Sequence, residues 1–333
     1  MYQTRFDSAR DLATLPWFER RDDRIVCAES LGPVIDTHTH LAQAYLRPMC
    51  VDLERACTMR HYLPLERPLE LDCYVNKNLT PSDLAEMKRD VSLRAITAGG
   101  LRATHTAPNL IREMSELGIG HSVLLAIDWP ILSANTKAYA QVVDKHPELI
   151  LFGSIHPWTP FIESRLREQR ALGIRGLKLH PMAQIVAPDD PLAIRLYRLA
   201  GRHGLPVIFH CGPVGIEPIH GRILCQIGRY RRAIERCPDT VFLLGHSGAL
   251  QMEGALALAQ EHENVWLEIS CQSVTNLRRI FAEAPPQRIV FGSDWPWYHQ
   301  AIPLAKVLIA TEDRPDLRRA VLWENAARLL GID

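Results

Sequence analysis

Apolar residues along this chain follow two alternating patterns. Short runs of Val, Ile, Leu and Phe recur, and each is followed by a segment whose apolar positions fall three and four residues apart. This is how buried parallel strands and their covering helices read in sequence. The runs are VIDTHTH (34–40), HSVLLAID (121–128), LILFGSIHP (149–157), IRGLKLHP (174–181), LPVIFHCG (205–212), TVFLLGHSG (240–248), NVWLEIS (264–270) and RIVFGSDWP (288–296). Between them lie ANTKAYAQVVDKH, PFIESRLREQRALG, DPLAIRLYRLAGRHG, LCQIGRYRRAIERC and GALALAQEHE, several stopped by Gly or Pro as helix ends usually are. The regular alternation of strand and helix predicts the α/β class and, within it, a single (β/α)8 TIM barrel.

Two stretches break the pattern. Residues 41–98 carry several prolines and no run of comparable quality, so they are expected to be an insertion after the first strand, lying over the mouth of the barrel. Residues 1–33 read as an amino-terminal extension, leaving 34–333 as the barrel domain, and DLRRAVLWENAARLLG reads as a closing amphipathic helix. No internal repeat beyond the βα unit and no low-complexity segment is found.

Composition narrows the partners. Lys plus Arg and Asp plus Glu both number 38, so there is no basic excess for nucleic acid or anionic lipid and no acidic tail. A small-molecule substrate is expected, with homo-oligomerisation left open. The start, MYQTRFDSARDLATLPWFERRDDR, reads as neither signal peptide nor membrane span. The eight cysteines form no C-x-x-C pair and are expected to be reduced thiols of a cytoplasmic protein. Cys50, Cys57, His61 and Cys73 share one stretch, but their spacing matches no common zinc module, so they read as buried or incidental.

The chemistry sits at the strand ends. His38 and His40 are two apart, on one side of an extended strand, and share that face with Asp36. His210 ends the fifth run, His246 lies near the end of the sixth and Asp294 near that of the eighth, while Lys178 and His180 share a face in the fourth. Each has a bland alternative. A single strand-end histidine is more often a hydrogen-bonded core or rim residue, Asp294 in GSDWP suits a helix N-cap or a turn, and Lys178 suits an ion pair with Asp36 or Asp294. Together, though, six metal-competent side chains gather at one end of five strands, where barrel enzymes keep their chemistry.

The motifs DTHTH, RGLKLHP, VIFHCG, LLGHSG and FGSDWP, followed by WENAARLLG, resemble those of the amidohydrolase superfamily. The likeness is to its amidohydrolase-related branch of metal-dependent hydrolases and decarboxylases, and it covers Val34 to the carboxyl terminus. It implies a divalent metal, usually zinc, held by His38, His40 and His210 with Asp294 as a further ligand. It also implies that His246 binds a second metal or orients the reacting group. Lys178 matches the position at which binuclear relatives carry a carboxylated lysine, so one or two ions are implied.

Independently of the family, neutral imidazoles and a carboxylate suit zinc or a similar first-row ion, which lowers the pKa of water from about 15.7 toward about 7. Asp294 can then accept and return a proton, and His246 can stabilise oxyanion charge. The expected reaction is hydrolysis of an amide, cyclic amide, lactone or ester. The rivals are a decarboxylase using the same ligands, a lactonase or isomerase relying on Lys178 and His180 directly, and a non-catalytic binding barrel. His180, His156, Trp295 and Arg222 are candidate substrate contacts, with Trp158, Trp297, His220 and Arg47 also near the mouth. Rim packing and solvated surface are the alternatives for the tryptophans and arginines.

Overall fold

In the computed structural model, which describes residues 2–332, every one of the apolar runs contains a strand. These are β1 (Ile35–Thr39), β2 (His121–Leu125), β3 (Leu149–Gly153), β4 (Gly176–Leu179), β5 (Val207–His210), β6 (Phe242–Gly245), β7 (Val265–Glu268) and β8 (Ile289–Val290). They hydrogen-bond in sequence order in one eight-stranded parallel sheet. The sheet curls until its last strand meets its first: Thr37 N–H donates to Phe291 O (2.9 Å), and Thr39 forms a parallel bridge with Trp295. The fold is a (β/α)8 barrel. Its strands are shorter than the apolar runs because burial outlasts the ladder; Ala126, Ile127, Ile155 and Ile269 all lie past their strands and remain buried.

The helices follow the predicted segments. Pro191–Arg202 is typical: Asp190 accepts the Leu192 N–H (2.8 Å), Pro191 opens the first turn, and Ala193, Ile194, Leu196, Tyr197, Leu199 and Ala200 form the buried stripe.

Contacts divide the chain into two compact units. One comprises Met1–Ala42, Val51–Ser122 and Ile269–Asp333 as far as they are described, and the other Gln43–Cys50 and Val123–Glu268. In the first, the amino-terminal extension forms a hairpin, Phe18–Arg21 with Arg24–Cys27, and Arg5–Phe6 pairs antiparallel with Leu69–Glu70. The stretch expected to lack strands therefore holds this two-residue one, made against the extension. Its helix, Pro81–Val91, starts at a capping box between Thr80 and Asp83. The closing segment is not one α-helix. A π turn over Ala320–Glu324 separates Pro315–Arg319 from Asn325–Leu330, and the Val321 carbonyl accepts the Phe291 N–H beside β8 (3.1 Å).

In the second unit, Val207 pairs with Leu177 and Phe242, and Phe242 with Val265. Phe209 and Phe242 stack with ring centroids 5.4 Å apart, and Tyr197 meets both edge-on. Among the described residues no helix is long and apolar enough to cross a membrane.

Candidate metal centre

In the first unit the period-two geometry of β1 places Asp36, His38 and His40 on one face. The chain after β8 then folds back onto the strand's end. Asp294 donates its N–H to His38 O (2.8 Å), and its backbone sits in the left-handed region at φ 63°. That turn aims the carboxylate at both imidazoles: Asp294 Oδ1 lies 3.6 Å from His38 Nε2 and 3.8 Å from His40 Nε2. One ligand atom from each of the three residues lies within 4.8 Å of the others. Ligands held at about 2.1 Å around a tetrahedral ion are about 3.4 Å apart, so the two carboxylate–imidazole separations lie within a few tenths of an ångström of the spacing a zinc-like ion imposes. Both histidines are buried and Asp294 is partly open, as an accessible centre requires. Cys271 Sγ donates to Asp294 Oδ2 (3.5 Å), and Trp297 lies edge-on to His40 with centroids 5.5 Å apart.

Asp36 does not face this group with its oxygens. Its Oδ1 accepts the N–H of His38 (3.1 Å) and of Ser293 (2.9 Å), and its Oδ2 accepts Gln300 Nε2 (2.7 Å). Burial raises its pKa to about 6 against the lowering effect of these bonds. Asp36 thus ties the ligand-bearing strand to the ligand-bearing loop.

The second unit gathers another set at the ends of β4 to β7. His246 Nε2 and His210 Nδ1 share a hydrogen bond of 3.1 Å, and His180 stacks on His210 with centroids 4.1 Å apart. Lys178 is buried at the end of β4. Burial, with the Lys178 ammonium adding to it, lowers the His210 pKa to about 3, so the ring is neutral and able to ligate at neutral pH. The loop after β6 runs through left-handed backbone at His246, Ser247, Gly248 and Ala249. Glu268 anchors it: Oε2 accepts the His246 N–H (3.0 Å), and Ser247 Oγ donates to Glu268 O (3.0 Å).

The remaining expected contacts fare differently. Trp295 is fully buried and donates Nε1–H to Glu113 Oε2 (3.3 Å), so its geometry is that of the packing alternative and not of a substrate contact. His156 is buried, with Nε2 against Gln184 O (2.9 Å), beyond the next strand, and Nδ1 accepting the Trp158 N–H (3.2 Å) of its own loop; both ring nitrogens have protein partners. Arg222 is an exposed side chain ion-paired with Glu217 (3.3 Å), and Arg47 and His220 are exposed as well. Trp158 is half exposed, at 54%. Cys57, His61 and Cys73 take separate partners, Asn109, Glu113 and Glu70 O.

Sequence reasoning passed over Glu268, Glu113 and Cys271. Glu268 carried a signal, a carboxylate closing the apolar run NVWLEIS. Glu113 carried none, because in an amphipathic helical segment it reads as a solvated charge.

A family model described as Amidohydrolase matches residues 35–332. Among solved structures, the chain is similar to an uncharacterised TIM-barrel protein from Bordetella bronchiseptica at 18% identity, over 90% of this chain and 99% of that one, with a TM-score of 0.63. It is also similar to a probable 2-pyrone-4,6-dicarboxylic acid hydrolase from Acinetobacter baumannii, at 16% identity over 90% and 99% with a TM-score of 0.54. A 2,6-dihydroxybenzoate decarboxylase from Rhizobium aligns at 14% identity over 89% and 99%, with a TM-score of 0.56. At these identities the likeness is one of fold. No curated protein matches the chain.

Proposed function

The chain belongs to the amidohydrolase family, whose members are metal-dependent enzymes acting on small molecules, and on that premise we propose that it hydrolyses an amide, cyclic amide, lactone or ester. The observation that carries this reading is the convergence of His38, His40 and Asp294, with ligand atoms within 4.8 Å and one carboxylate facing both imidazoles.

When bound there, a divalent cation, zinc by its match to this donor set, supplies Lewis acidity and lowers the pKa of water toward about 7. His38 and His40 hold it as neutral donors. Asp294 turns Oδ1 toward the imidazoles, and Oδ2, beside Cys271, takes the proton that water loses as its oxygen bonds to the substrate carbonyl carbon. The same oxygen then delivers that proton to the nitrogen or oxygen that departs. His246, its ring oriented against His210, stabilises the charge that gathers on the carbonyl oxygen. His210 is proposed as a further ligand, and Lys178 as one if its amine is carboxylated, since an ammonium has no lone pair to give a metal; Lys178 thus decides between one ion and two.

A second reading is decarboxylation of a hydroxy- or amino-carboxylate. What favours it is the buried Lys178 ammonium beside His210, a feature suited to an anionic substrate.

Elemental analysis per chain, on protein purified without chelator, comes first. The expected result is at least one zinc-like ion in wild type, largely kept in Asp294→Asn with loss of turnover on a panel of lactones and cyclic amides. Protein without bound metal, or an Asp294→Asn variant with full activity, would overturn the mechanism. Metal-dependent release of carbon dioxide from aromatic carboxylates, without hydrolysis, would establish the second reading. Two ions falling to one in Lys178→Ala would make the site a lysine-bridged pair.

A further inference from the structure

The loop that carries Asp294 is gripped at both ends by the buried carboxylates of Asp36 and Glu113, neither of them a candidate ligand. Asp36 holds Ser293 N–H and the Gln300 side chain, as described above. Glu113, on the helix Ala107–Leu117, holds the other faces of the same loop. Its Oε1 accepts the Gln300 N–H at 2.6 Å, and its Oε2 accepts the Trp295 indole N–H at 3.3 Å and bonds His61 Nε2 at 2.8 Å. His299 Nδ1, 3.6 Å from Oε1, accepts the Ala301 N–H instead and is an electrostatic neighbour, not a hydrogen-bond partner. Trp295 directly follows Asp294 and Gln300 ends the same loop, and all three helpers, Trp295, Gln300 and Glu113, are buried.

The chemistry of this grip is specific to a carboxylate. A backbone N–H and an indole N–H can only donate, and they meet different oxygens of Glu113, so both oxygens must accept. An ionised carboxylate satisfies this. A carboxamide of the same shape cannot, because its NH2 would face one of the donors.

Resting on the metal-centre reading above, we propose that Glu113 is a positioning residue for that centre: through Trp295 and Gln300 it holds the loop so that Asp294 Oδ1 stays in reach of His38 and His40. Its effect on the metal therefore passes through the Asp294 carboxylate. A residue serving stability alone would change the melting temperature without that dependence.

The test is a titration of chelator-treated, dialysed full-length protein with Co2+, followed by its visible absorption, on wild type, Glu113→Gln, Asp294→Asn and the double variant. Supports for metal ligands typically contribute tenfold to a hundredfold in affinity, so Glu113→Gln is expected to raise the Co2+ Kd by about tenfold or more. In the Asp294→Asn background the same change should shift Kd by no more than about twofold, because a residue acting through that carboxylate is coupled to it, whereas independent sites would show the same loss in both backgrounds. Trp295→Phe, which keeps the ring and removes the donor, should weaken binding in the same direction and decides the matter if Glu113→Gln does not fold. A Kd for Glu113→Gln within about twofold of wild type, or an equal loss with and without the Asp294 carboxylate, overturns the proposal while leaving the metal centre standing. Wild-type protein that binds no Co2+ overturns the metal centre itself and this inference with it.

Discussion

At the scale of single residues, the organising fact is how far a carboxylate's surroundings decide its task. Asp294 is held in left-handed backbone that costs a non-glycine residue about 1–2 kcal/mol, and the cost is met by hydrogen bonds from its own N–H and from its neighbours. Asp128, in the second unit, is a different case. It is buried under donors from Asn135, Thr136 and Ser133, and burial outweighs them, raising its pKa to about 6. A carboxyl raised on folding binds its proton more tightly in the native state. Its contribution to stability is therefore full below about pH 4 and lost as pH rises through about 6. The difference in stability between pH 4 and 7 should shrink by up to about 3 kcal/mol in Asp128→Asn, read from urea midpoints at each pH. An unchanged pH profile would show that the donors, not burial, set this group.

At the scale of elements, strands deliver the chemistry and the loops behind them aim it. Gly212, just past β5, has φ 82°, and a Cβ there would collide with the carbonyl of Gly248 in the loop carrying His246. Gly212→Ala adds positive-φ strain to overpacking and should cost about 2–4 kcal/mol, seen as a lower melting temperature with the β5 and β6 histidines displaced. A melting temperature equal to wild type would mean the two loops can separate freely. The eight strands and most helices were legible because apolar period and punctuation are local properties. The closing segment was not: its apolar positions suit a continuous helix, and only the Phe291 N–H seeking the Val321 carbonyl explains the π turn. The short strand Leu69–Glu70 was equally hidden, since its partner lies at Arg5–Phe6, far off in sequence.

At the scale of the whole molecule, binding at the barrel mouth should be felt as stability. A ligand at a thousand times its Kd adds about 4 kcal/mol to the folded state, so prolonged chelation should lower the melting temperature and zinc should restore it. A melting curve indifferent to both would argue against a resident ion. The sequence by itself determined the barrel and the ordered set of His38, His40, Lys178, His210, His246 and Asp294, because parallel strands must bury apolar runs and strand ends must carry whatever polar groups remain. Tertiary structure alone decided which polar groups face one another. It turned Trp295 inward onto Glu113, left Arg222 paired at the surface with Glu217, and set Glu268 beneath the His246 loop. The physical reason is that burial and hydrogen-bond partners belong to residues brought together from distant parts of the chain, and no local pattern encodes which distant group will answer a buried charge.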